Sequence, residues 1–69
     1  MTRRTESARQ ALDQYCLSKG EPLDTLETGI IDLLTDLLHL AHIEELDAFD
    51  LGLTALKHFV CEIEKEPIP

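Results

Sequence analysis

Residues 24–43 read DTLETGIIDLLTDLLHLAHI, and this stretch decides the fold class. Its apolar positions up to residue 41 are Leu26, Ile30, Ile31, Leu33, Leu34, Leu37, Leu38, Leu40 and Ala41. At about 100° per residue they cover well over half of a helix circumference. The remaining polar stripe holds Thr28, Asp32, Thr35, Asp36, His39 and His42. A helix this apolar is either central in a bundle or buried by a second chain. Asp24, with Glu27 three residues later, predicts the helix start as a variant capping box.

The stretches on either side have helical periods as well. Ala8, Ala11, Leu12, Tyr15 and Cys16 fall at i, i+3, i+4, i+7 and i+8, the stripe of an amphipathic helix. Gly20 after Lys19 supplies a stop, a C′ glycine behind a cation in the last turn. Glu21-Pro22 is then a connection, because the residue before a proline is pushed out of the helical region. On the other side, Asp47 reads as an N-cap with Asp50 at N3 and a Leu46–Leu51 hydrophobic staple. The main stripe of that third segment is Phe49, Leu53, Leu56, Val60 and Ile63, widened by Leu51, Ala55 and Phe59. Gly52 weakens it by up to about 1 kcal/mol and marks a place for close helix packing. Nothing alternates with a strand period. The expected fold is all-α, a small three-helix bundle with helices about 5–19, 25–43 and 48–64. It forms a single helical domain over 1–69 with a non-helical tail at 65–69, and is oligomeric.

Oligomerisation is expected on size grounds. A core in a chain below roughly 70–80 residues rarely supplies more than about 3–5 kcal/mol, and such scaffolds add disulfides, metal or a partner. Here there are 69 residues and two cysteines, Cys16 and Cys61. A secreted domain this small usually carries more cysteines, in pairs. Both are therefore read as reduced thiols in a cytoplasmic protein. The polar N-terminus lacks the apolar core of a signal peptide. The longest apolar run, residues 37–43, is interrupted by two histidines and falls short of the ~18 residues of a membrane span.

Fourteen acidic residues against six basic ones give a net charge of −8. That balance excludes direct nucleic-acid binding through phosphates and adsorption to an anionic membrane. The charge is also segregated. Residues 1–19 hold Arg3, Arg4, Arg9 and Lys19 against Glu6 and Asp13, leaving +2. Residues 20–56 hold nine acids and no Lys or Arg, leaving −9. Such a block favours a protein partner, either a basic one or a second copy offering its N-terminal arginines. The acidic face comprises Asp24, Glu27, Asp32, Asp36, Glu44, Glu45, Asp47 and Asp50.

Catalytic chemistry finds little support. No Gly-rich phosphate loop, CxxC, HExxH or GxSxG occurs, and no nucleophile triad can be assembled from Ser7, Ser18, Cys16 or Cys61. Cys16 lies on an apolar stripe, and both cysteines sit in C-terminal parts of helices, where the dipole raises the thiol pKa. Asp32, Asp36 and His39 lie at i, i+4 and i+7 on one helix face and are the candidate ligands for a divalent metal. An amphipathic helix must have a polar face in any case, so the expectation is no metal, no cofactor and no catalytic residue. His39, His42 and His58 all have acidic neighbours in sequence, which favour the imidazolium.

Two resemblances bear on context. Asp32–His39 (DLLTDLLH), Leu46–Asp50 (LDAFD) and His58–Phe59 resemble a pattern in short uncharacterised bacterial proteins, often encoded near plasmids, prophages or other mobile elements. The same stretch is more loosely similar to the last two helices of the all-α nucleotide pyrophosphohydrolases related to MazG. That resemblance implies Asp32 as the acid of an ExxD motif. Gly29 stands where the Glu belongs, and no EExxE helix precedes it, so a magnesium cage lacks its carboxylates.

The function expected from the sequence is a small acidic protein–protein interaction module, non-enzymatic and homodimeric. The expected contact surface is Ile31, Leu34 and Leu38 with Leu51 and Phe59. An acidic inhibitor or nucleic-acid mimic from a mobile element is the alternative. A metal-binding remnant of a pyrophosphohydrolase stands behind both.

Overall fold

A computed structural model describes residues 3–21 and 24–65. Three helices follow in order: α1 over Arg3–Lys19, α2 over Leu26–Ile43 and α3 over Ala48–Lys65. There is no strand among the described residues. The all-α, three-helix class is thus the one expected, with ends shifted by one or two residues. Of the proposed tail, Lys65 belongs to α3, and residues 66–69 lie outside the described residues, as does Pro22.

The caps explain the boundaries. At the end of α1, Glu21 N–H donates to the Cys16 carbonyl (3.3 Å) and Gly20 N–H to that of Leu17 (3.1 Å). This is the Schellman pairing, and Gly20 takes the left-handed conformation it needs, with φ of 71°. At the start of α2 the cap is Thr25, not Asp24. The Thr28 N–H donates to Thr25 Oγ1 at 3.1 Å, and the two hydroxyls are 2.8 Å apart. Asp24 and Thr25 are both competent caps, and the three-residue spacing to Glu27 favoured the wrong one. At α3 the cap is Asp47, as expected: Asp50 N–H donates to Asp47 Oδ1 at 3.0 Å.

The turn between α2 and α3 had no sequence signal. Leu46 N–H donates to the Ala41 carbonyl (2.9 Å) and Glu45 N–H to that of His42 (3.1 Å), a second Schellman motif. Its left-handed residue is Glu45, with φ of 62°. A β-carbon makes this conformation cost about 1–2 kcal/mol, which is why glycine usually stands there. Glu45→Gly is therefore expected to raise stability by about 1 kcal/mol in urea unfolding. A loss of stability would show that the Glu45 side chain matters more than its backbone strain.

Two compact units divide the chain inside α2, Met1–Asp36 and Leu37–Pro69. In the first, α1 runs antiparallel to the first half of α2. Leu12 is buried there at 3% exposure, with Gly29 buried and Tyr15 and Cys16 half-buried. In the second, Ala41 is buried, and Ala48, Gly52, Thr54 and Glu62 are half-buried. A β-carbon built on Gly52 would meet Leu38 Cδ2 at 3.6 Å, an ordinary contact. Leu12 and Ala41 are the only buried apolar side chains described, and no large side chain is fully enclosed.

Candidate interaction surface

What the core lacks, the surface carries. All five residues expected to form the contact face, Ile31, Leu34, Leu38, Leu51 and Phe59, are exposed. So are Leu26, Ile30, Leu37, Leu40 and Ile43 of α2. The main stripe of α3 is exposed along its whole length, with Phe49 at 93% and Leu53, Leu56, Val60 and Ile63 each above half. An isolated exposed leucine needs no explanation, whereas contiguous exposed apolar rows on two helices form a patch larger than scattered surface residues make.

The polar stripe of α2 does something the sequence reading missed. The Tyr15 hydroxyl of α1 donates to Asp36 Oδ2 and also lies 3.2 Å from the Asp32 carbonyl. Lys19 Nζ in turn donates to the Tyr15 oxygen at 3.2 Å, and sits 5.0 Å above the ring centre and 3.6 Å from a Glu21 carboxylate oxygen. By spacing alone Tyr15 is one more apolar residue of the α1 stripe. Its ring serves that stripe, while its hydroxyl reaches 21 residues along the chain to pin α1 onto α2.

This cluster has a titration signature. Donation to the Asp36 carboxylate, aided by desolvation, raises the Tyr15 pKa above 10.0. The hydrogen bond from Lys19 to Tyr15 raises the lysine likewise. Both folded-state pKa values are raised, so the stabilisation is complete below the ordinary values and is lost as pH climbs through the folded ones. Tyr15 is the sole tyrosine and tryptophan is absent. Phenolate absorbance should therefore titrate above pH 10, and Asp36→Asn should bring the midpoint down toward 10. An unchanged midpoint would mean that the carboxylate does not hold the phenol in solution.

The metal candidates do not close into a site. Among the described residues, no three of His, Cys, Asp and Glu converge as ligands, and the Asp36 carboxylate accepts from Tyr15 instead. His39, His42 and His58 are exposed. Both cysteines are free thiols, Cys16 half-buried and Cys61 exposed. The depression beside Tyr15, Cys16, Lys19 and Asp32 has a volume of about 110 Å³, below the ~300 Å³ at which ligand pockets begin. All eight residues of the acidic face are exposed. Arg9 pairs with Asp13 on its own helix at 3.7 Å. Among the described residues, no helix is long and apolar enough to cross a membrane. No protein-family model, curated protein or solved structure matches the chain.

Proposed function

We propose that the chain is a non-enzymatic protein–protein interaction module that acts as a homodimer in the cytoplasm. Apolar surface left without cover is the observation behind this reading. Rows of leucine, isoleucine and phenylalanine on α2 and α3 are exposed among the described residues, and contiguous apolar rows of this extent are the mark of an interaction surface. A second copy offers the same apolar surface in return, and it is always present at matching concentration. The two free thiols fit a reducing compartment.

Sedimentation velocity at micromolar concentration tests the reading. The expected result is one species of about twice the 7.8 kDa chain mass. A folded species of single-chain mass would reject it.

The exposure of all eight acidic residues supports a second reading, an acidic inhibitor of mobile-element origin that presents its carboxylates to a basic nucleic-acid groove. Asp32→Asn combined with Asp36→Asn would then weaken binding to the basic target. Full binding by the double variant would remove this stripe from the reading.

A further inference from the structure

The α3 stripe has a spacing that its exposure makes meaningful. Phe49, Leu53, Leu56, Val60 and Ile63 follow one another at steps of four, three, four and three. That is the alternation of the d and a positions of a coiled coil, with Leu53 and Val60 at a and Phe49, Leu56 and Ile63 at d. All five are exposed. They span about 21 Å of α3 at 1.5 Å per residue. Within the unit Leu37–Pro69, α2 approaches α3 at Gly52, a g position beside the seam, and leaves the a/d row uncovered.

The flanking charges choose the direction. The e positions are Asp50, Lys57 and Glu64, and the g positions are Gly52 and Phe59. A parallel pair matches g with e of the other helix, giving Gly52 with Lys57 and Phe59 with Glu64, with no ion pair in either. An antiparallel pair matches e with e. If the two-fold axis falls between Leu53 and Leu56, Asp50 of each copy meets Lys57 of the other, twice over. The same register sets Leu53 on Leu56 and the large Phe49 on the smaller Val60. It therefore satisfies charge and side-chain volume together.

We infer that α3 pairs with α3 of a second copy as a short antiparallel coiled coil, closed by its a/d row and oriented by two Asp50–Lys57 ion pairs. This rests on the homodimer reading and places the seam on the a/d row of α3, with Phe59 flanking it and Leu51 outside it.

The test is sedimentation equilibrium of the full chain and four variants, with helicity checked by circular dichroism. Leu53→Glu combined with Leu56→Glu should weaken the dimer by about a hundredfold or more, since four buried leucines become charged. Asp50→Lys alone and Lys57→Asp alone should each weaken it by about tenfold, because each turns two attractions into repulsions. The combined Asp50→Lys, Lys57→Asp swap should return the affinity to near that of the parent. A parent chain that is monomeric overturns the homodimer reading and the seam together. A dimer that survives the double glutamate variant overturns the seam and leaves the homodimer standing. Loss with the glutamates but no rescue by the swap overturns the antiparallel arrangement.

Discussion

Leu12→Ala is expected to leave little of the chain folded at physiological temperature. Leu12 is the most deeply buried apolar residue described, at 3% exposure. Leu→Ala changes at such positions cost about 3–5 kcal/mol, as lost transfer energy plus a cavity. A core in a domain this small supplies about the same amount. The variant should thus show a broad melt beginning near room temperature, or no cooperative melt at all, by far-UV circular dichroism. A cost under about 1 kcal/mol would show that the α1–α2 contact adds little to the fold.

The second large effect is the dependence of thermal stability on concentration. If folding is completed by a second copy, dilution favours the unfolded chains by mass action. Each tenfold dilution removes about 1.4 kcal/mol of dimer stability. For a unit of two 69-residue chains, 1 kcal/mol moves the melting temperature by about 2–4 °C. A hundredfold dilution is therefore expected to lower Tm by about 6–11 °C. A monomer would melt at the same temperature throughout, and that result would count against coupling between folding and association.

The parts of the fold legible in the sequence were those governed by local chemistry. Gly20 and Asp47 announced an end and a beginning, because a left-handed C′ residue and an N-cap acceptor each have a narrow residue preference. The start of α2 was misplaced by one residue where two such residues stand side by side. The αL turn at Glu45 was invisible for the opposite reason, since glutamate is a poor choice there and carries no signal. Tyr15 was half-legible: its spacing placed it on the inner stripe, but an acceptor far along the chain can be found only once the helices are paired. On α3 the periodicity correctly marked Phe49, Leu53, Leu56, Val60 and Ile63 as one face. Periodicity states that a face wants cover and is silent on whether the same chain provides it. The contact face expected at Ile31, Leu34, Leu38, Leu51 and Phe59 rests on surplus, more apolar positions than two neighbouring helices can enclose, and all five residues are exposed.

The position of Tyr15 also makes it a built-in optical probe. As the chain's one intrinsic fluorophore of the tyrosine–tryptophan kind, it sits wholly within the unit Met1–Asp36, against Asp36 and Lys19. Far-UV circular dichroism reads all three helices, whereas tyrosine emission reads only the docking of α1 on α2. Coincident transitions in the two signals would mean that both units melt as one cooperative body, and separated transitions would resolve them without any label.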